Sequence, residues 1–79
     1  MRMTKHYMDR YFERVFGISK PNDLSNRQVE LVISTDMDKR MNIRQKNNME
    51  FISGSKSRAK IPMGKYTTVV DNDMALTIY

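Results

Sequence analysis

The 79-residue chain has no cysteine and no tryptophan, a single histidine, three glycines and two prolines. Without cysteine it can form neither a disulfide nor a thiolate metal site, and one histidine argues against a structural zinc ion. It also lacks a glycine-rich phosphate loop, so we expect no metal and no other cofactor. No apolar run approaches the roughly 20 residues that a membrane-spanning helix needs. These absences favour a cytoplasmic protein that does not enter a membrane.

Positive charge is the most distinctive feature of the composition. Fourteen Lys and Arg residues stand against nine Asp and Glu residues, which gives a net charge of +5 and a pI near 9.8. A chain of this length makes one small domain, residues 1–79, with a single core. The charge favours RNA or another polyanion as a partner, or an acidic face of a protein, although small soluble domains are often basic for no specific reason.

The most organised stretch is residues 4–17, which we predict to be an amphipathic helix. Thr4 can cap its N-terminus, and Gly17 can end it in the left-handed conformation. At about 100° per residue, one half of this helix is apolar or aromatic and is predicted to face the core. That half consists of Tyr7, Met8, Tyr11, Phe12, Val15 and Phe16.

The other half of the first helix carries His6, Arg10 and Arg14, each one turn above the last. We call these three residues the ladder. Two interpretations of it are open. It can be a solvated face on which Asp9 and Glu13 form ordinary ion pairs with the arginines. Alternatively, an imidazole that titrates near neutral pH beside two fixed cations is suited to metal-free cleavage of an RNA backbone.

Residues 25–39 predict a second helix. Ser25 and Gln28 have the spacing of a capping box, and apolar residues then recur at helical spacing as far as Met37. The β-branched residues of this stretch would also suit a strand. The explicit capping signal favours the helix.

After a predicted loop at residues 40–48, the apolar period changes from 3.6 to 2. We predict strands at residues 49–53, 57–63, 66–71 and 74–79, with the first hairpin turn at residues 53–56. Pro62 cannot donate to a strand ladder, so the second strand should lie at an edge, and the last strand is expected inside the sheet beside the third. The fold prediction is α+β, with two N-terminal helices packed on a small, mainly antiparallel four-stranded sheet.

Alternation along the strands assigns their two faces. In the second strand Arg58 and Lys60 should face away from Ile61 and its neighbours. In the last strand we assign Leu76 and Ile78 to the core, and Ala75, Thr77 and Tyr79 to the other face. Five methionines, at positions 8, 37, 49, 63 and 74, are predicted to be flexible core fillers.

The first helix, KHYMDRYFERVFGI, followed by strands ending in RAKIP, KYTTVVDND and ALTIY, resembles the small ribonuclease toxins of the RelE and colicin-type superfamily. The likeness is to phage and mobile-element members that open with a His-x3-Arg-x3-Arg helix and close with a threonine-bearing hairpin. This resemblance implies a metal-independent ribonuclease, acting in the host cytoplasm if it is phage-encoded. Its chemistry would be attack of an RNA 2′-hydroxyl on the adjacent phosphate.

The resemblance also implies roles for particular residues. His6 would be the general acid or base, while Arg10 and Arg14 would bind the scissile phosphate. Thr77 would hydrogen-bond phosphate or ribose, and Arg58 would add a phosphate contact. Because the chain has one histidine, a second acid or base would have to be Glu13, Asp9, a lysine or a tyrosine such as Tyr79.

Two non-catalytic alternatives are open. A phage-type protein could bind and inhibit a host enzyme, with its basic face as the docking surface and Tyr7 or Tyr11 as aromatic anchors. A plain nucleic-acid-binding protein could instead hold phosphates through Arg58 and Lys60, and through the loop cations Arg44 and Lys46.

Overall fold

The computed structural model describes residues 1–52 and 56–79. Its helices are α1 (Lys5–Tyr11, continued by a π-helical turn at Phe12–Phe16), α2 (Asn26–Arg40) and α3 (Ile43–Ile52), and its strands are β1 (Arg2–Met3), β2 (Ala59–Met63), β3 (Tyr66–Asp71) and β4 (Met74–Ile78). The strands form one sheet in the order β1-β4-β3-β2, with β1 parallel to β4 and the other pairs antiparallel. The α+β class is therefore confirmed. Within the described ranges, every helix is too short or too polar to cross a membrane.

The first helix forms as predicted, although its last turn widens. The side chain of Thr4 accepts a hydrogen bond from the backbone N–H of Tyr7 at 3.1 Å, and Gly17 ends the helix at φ 73°. Tyr7, Met8, Tyr11 and Phe12 are buried, while the side chains of the wider π-helical turn, Val15 and Phe16, are half-buried. The predicted core half is confirmed.

The second helix also begins at the predicted cap. The hydroxyl of Ser25 accepts from the backbone of Gln28 at 3.2 Å, and the Gln28 side chain accepts from the backbone of Ser25 at 2.8 Å. Val29, Ile33 and Met37 are buried along one stripe of α2. The strand alternative for this stretch is wrong.

The third helix, α3, corrects two predictions at once, because it replaces most of the loop at residues 40–48 and the strand at 49–53. Its start is a second capping box: the Asn42 side chain accepts from the backbone of Gln45 at 2.8 Å, and the Gln45 side chain accepts from the backbone of Asn42 at 3.1 Å. Met41, in extended conformation, separates it from α2. Most of the predicted hairpin turn, at residues 53–55, lies outside the described residues.

The fourth strand of the sheet is β1, at residues 2–3, and not the predicted strand at residues 49–53. The backbone N–H of Arg2 donates to the Asp73 carbonyl at 3.0 Å, and that of Thr4 donates to Ala75 at 3.1 Å. β4 consequently lies inside the sheet beside β3, as predicted. β2, which contains Pro62, is an edge strand, also as predicted.

A β-bulge in β4 changes the predicted faces of that strand. Val69 pairs with Thr77 and Val70 pairs with Ala75, which leaves Leu76 as an extra residue. Because the extra residue interrupts the alternation, Ala75 and Ile78 both face the core and are fully buried. The prediction that Ala75 lies on the outer face is therefore wrong, and Leu76 is only half-buried.

Two buried tyrosines of α1 connect the layers of the fold. Tyr7 and Tyr11 are each 0% exposed, and their ring centroids are 5.9 Å apart. The hydroxyls of Tyr7 and Thr68 of β3 are hydrogen-bonded at 3.0 Å, and the Tyr11 hydroxyl donates to Asp36 of α2 at 2.6 Å. Burial raises the pKa of Tyr7 to about 12, with the hydrogen bond to Thr68 acting in the other direction. Burial and then Asp36 also raise the pKa of Tyr11, so both hydroxyls stay protonated at neutral pH.

The buried hydrogen bond between Tyr7 and Thr68 leads to a stability prediction. Tyr7→Phe and Thr68→Val should each lower the free energy of unfolding by about 1–2 kcal/mol, because each leaves a buried hydroxyl without its partner. In the double variant both polar groups are gone, so its loss should be smaller than the sum of the two single losses. Urea unfolding followed by circular dichroism measures all four proteins. Strictly additive losses would show that the bond contributes no coupling.

Candidate nucleic-acid interface

The ladder residues lie on α1, but two of the three are engaged by the protein itself. Arg10 Nη1 lies 2.8 Å from Glu13 Oε2, and the two side chains are 41% and 49% exposed. Arg14 Nη1 donates to the backbone carbonyl of Ile78 in β4. His6 is exposed at the first turn of α1. Of the three ladder residues, only His6 is exposed and not engaged by another described residue, as the catalytic interpretation requires.

The hydrogen bond from Arg14 to the Ile78 carbonyl gives this arginine a structural role. Thr67 and Tyr79 exchange backbone hydrogen bonds at 3.2 and 2.9 Å. Because successive residues of an antiparallel strand point their backbone groups alternately toward and away from the partner strand, the Ile78 carbonyl points away from β3. β1 is only two residues long and does not reach this carbonyl. Two side chains at the start and end of the first helix bond to carbonyls along this edge of β4. Thr4 Oγ1 donates to the Ala75 carbonyl at 3.0 Å, and Arg14 donates to the Ile78 carbonyl. Arg14 thus supplies a hydrogen-bond donor to a backbone carbonyl at the open edge of β4.

Thr77 is not brought to the ladder. Its cross-strand neighbour is Val69, whereas the next residue, Ile78, is opposite Thr68, which is bonded to Tyr7 of α1. Adjacent side chains in a strand point to opposite faces, so Thr77 faces away from the helices. The catalytic roles of His6, Arg10, Arg14 and Thr77 stay predictions, but the structure divides these residues between two sides of the sheet.

The side of the sheet that faces away from the helices has no helix packed on it in the part of the chain that the structure describes. Cross-strand pairing assigns the following residues to this open face: Arg2, Lys60, Pro62, Thr67, Val69, Asp71, Met74, Thr77 and Tyr79. Lys60, Val69 and Thr77 form one row across three strands, and Pro62, Thr67 and Tyr79 form the next. The open face therefore combines two cations, one carboxylate, hydroxyls and an aromatic ring.

The central residue of the first row, Val69, is buried despite its position on the open face. Val69 is 3% exposed, yet it is not part of the hydrophobic core cluster on the helix side. Its cross-strand neighbours on the open face are Lys60 and Thr77. Lys60 can shield Val69 from water by laying its aliphatic stem over that side chain while its ammonium group stays in water. Tyr79, at 62% exposed, presents its ring to solvent.

The four predicted nucleic-acid-binding residues separate into two pairs. Lys60 lies on the open face, and Arg58, which is exposed, stands one residue before β2 begins. Arg44 and Lys46 instead lie on α3, among the helices, where Lys46 Nζ is 3.4 Å from Asp38 Oδ1. Sequence reasoning missed Thr67 and Arg2. Which of Thr67 and Thr68 faces outward depends on strand register, and β1 is too short to recognise.

The docking alternative loses its proposed anchors, because Tyr7 and Tyr11 are completely buried and the assignment of either as a surface anchor is wrong. A different apolar area is exposed on α2. Leu31 and Val32 line a depression of about 420 Å³ together with Phe16. Docking to a host protein stays a prediction, but Tyr7 and Tyr11 cannot be the residues that make the contact.

The contact between Arg14 and Ile78 predicts different outcomes for the two arginines of the ladder. Arg14→Ala should lower the free energy of unfolding by about 1 kcal/mol, because the Ile78 carbonyl loses its donor. Arg10→Ala breaks an exposed ion pair and should cost less than about 0.5 kcal/mol. Urea denaturation of the two variants beside the wild type makes the comparison. Equal losses would contradict a structural role for Arg14.

Comparisons with protein-family models, with curated protein sequences and with solved structures found no match to this chain. In the described ranges, no three His, Asp or Glu side chains are grouped so that they could hold a metal ion. The resemblance to ribonuclease toxins thus stands on its short motifs, and function has to be argued from the surface.

Proposed function

We propose that this protein binds RNA through the open face of its sheet. The observation that carries the proposal is the pair of neighbouring rows, Lys60–Val69–Thr77 and Pro62–Thr67–Tyr79, on a face that no described helix covers. A cation and two hydroxyls stand there on the strands, and the exposed ring of Tyr79 follows directly after β4. These groups together suit a nucleic-acid strand better than they suit an apolar protein surface.

Each kind of side chain has a physical part in such binding. Lys60 and Arg58, with Arg2 at the far edge, would neutralise phosphates and release their counterions, in keeping with a net charge of +5. The hydroxyls of Thr67 and Thr77 can donate to phosphate or ribose oxygens. The Tyr79 ring offers a surface on which an unpaired base stacks, a contact worth about 1–3 kcal/mol per base.

Cleavage of the bound RNA is the second candidate. It is favoured by Thr77, which the resemblance assigns to phosphate or ribose and which shares the open face with Lys60 and the hydroxyl of Tyr79. It is opposed by the ladder, since Arg14 is engaged at the edge of β4 and Arg10 is paired with Glu13. The geometry therefore supports binding more directly than catalysis.

Charge reversal at matched sites tests the binding proposal. Lys60→Glu should weaken binding of a labelled single-stranded RNA several-fold and lower the slope of log K against log salt by about 1, because a phosphate contact is lost. Arg44→Glu makes the same change of net charge on α3 and should leave the affinity nearly unchanged. Fluorescence anisotropy at several salt concentrations measures both variants.

The outcomes of this experiment are distinct. Equal weakening by Lys60→Glu and Arg44→Glu would mean that only overall charge attracts RNA and that the open face has no special role. An absence of RNA binding by the wild type at low salt would end the proposal.

A cleavage assay decides between the two candidates. We expect wild-type protein to bind free RNA in the presence of a chelator and to leave it intact, because the ladder and Thr77 are not together. Gel and end-group analysis after long incubation gives the answer. RNA ends carrying 2′,3′-cyclic phosphate that disappear with folded His6→Ala protein would establish a metal-free ribonuclease instead.

A further inference from the structure

A carboxylate interrupts the positive charge of the open face. Asp71 of β3 pairs with Met74 of β4, and Met74 pairs with Arg2 of β1, so these side chains form a third row across the sheet. The register of β2 and β3, continued by one residue, places Arg58 on the other side of Asp71. An acid thus stands between two cations on the surface proposed to bind RNA.

No described contact accounts for the carboxylate of Asp71. In the part of the chain that the structure describes, this side chain forms neither an ion pair nor a hydrogen bond. An aspartate that opens a turn often accepts a hydrogen bond from the backbone of that turn, but Asp71 opens the turn at Asn72 and Asp73 without doing so. Its two oxygens are therefore available to a ligand.

The chemistry of a carboxylate limits which part of RNA it can contact. An ionised carboxylate repels phosphate and can only accept hydrogen bonds. Among the four bases of RNA, guanine alone presents two adjacent donors, N1–H and the N2 amino group, and both oxygens can accept from them at once. Adenine, cytosine and uracil each place an acceptor beside their donor, and that acceptor would face the negative charge. An unpaired guanine is consequently the base that fits Asp71.

We infer, resting on the proposed RNA binding, that Asp71 selects guanine in the bound strand by accepting hydrogen bonds from N1–H and the N2 amino group of one unpaired base. Arg2 and Arg58 hold the phosphates on either side, which offsets the repulsion between the carboxylate and the strand. Met74 gives the base a flexible apolar surface beside the carboxylate.

The guanine site is separate from the proposed stacking site at Tyr79. Tyr79 lies opposite Thr67, which is about 13 Å from Asp71 along β3. Asp71 and Tyr79 therefore contact different nucleotides of the strand. A change at Asp71 should alter the base preference without removing the stacked base.

Labelled RNA octamers that contain uracil at every position except one central base provide the test. Wild-type protein should bind the octamer with guanine about five-fold or more tightly than the octamers with adenine or cytosine, as expected of a bidentate contact to a base. Inosine lacks the N2 amino group of guanine but is otherwise the same base, so it should lose most of this advantage. Fluorescence anisotropy at low salt measures each affinity.

Two variants with the same change of net charge provide the control. Asp71→Asn should lose the preference for guanine over adenine, because the amide replaces one acceptor with a donor. Asp23→Asn, in the exposed turn before α2, should keep the wild-type preference. Equal binding of the guanine and adenine octamers by the wild type, or an undiminished preference in Asp71→Asn, would overturn the selection of guanine and leave RNA binding in place. Failure of the wild type to bind any octamer would end both proposals.

Discussion

The hydrogen-bonded tyrosines of α1 are the constraint on which the rest of the structure depends. Each ring supplies apolar bulk to a small core, and each hydroxyl must find a partner because it is shielded from water. Thr68 meets this need from the sheet, and Asp36 meets it from α2. These two bonds therefore tie α1 both to the sheet and to α2. A chain with so few residues gains specificity from such bonds as well as from apolar area.

This constraint also decides which surfaces are available for function. With Tyr7 against Thr68, the first helix covers one side of the sheet, and its end residues satisfy the exposed edge of β4. Residues that look like one catalytic set in the sequence are thereby separated. Arg14 supports the strand edge, whereas Thr77 joins Lys60 and Tyr79 on the opposite side. Polar and charged side chains therefore have structural contacts on the helix side of the sheet, and the proposed ligand surface lies on the other side.

Local signals in the sequence predicted α1, α2, β2, β3 and the position of β4, because caps and periodicity act over a few residues. The start of α3 was also readable, since Asn42 and Gln45 have the same reciprocal spacing as Ser25 and Gln28. Two features could not be read in this way. β1 is two residues long and exists only through pairing with β4, and the bulge at Leu76 depends on the register of β3. The spacing of His6, Arg10 and Arg14 is visible in the sequence, but the hydrogen bond from Arg14 to Ile78 joins residues that are distant in the chain and cannot be read from spacing.

The pairing of β1 with β4 has a consequence for synthesis. Thr4 and Ala75, which share hydrogen bonds, are 71 residues apart in the chain. A nascent chain can form its helices early, but the sheet has to wait for its last strand to leave the ribosome. Until then α1 lacks its contacts with β4, among them the Ile78 carbonyl that Arg14 binds. Closing so long a loop costs chain entropy, so the contact between β1 and β4 is expected to form late in folding.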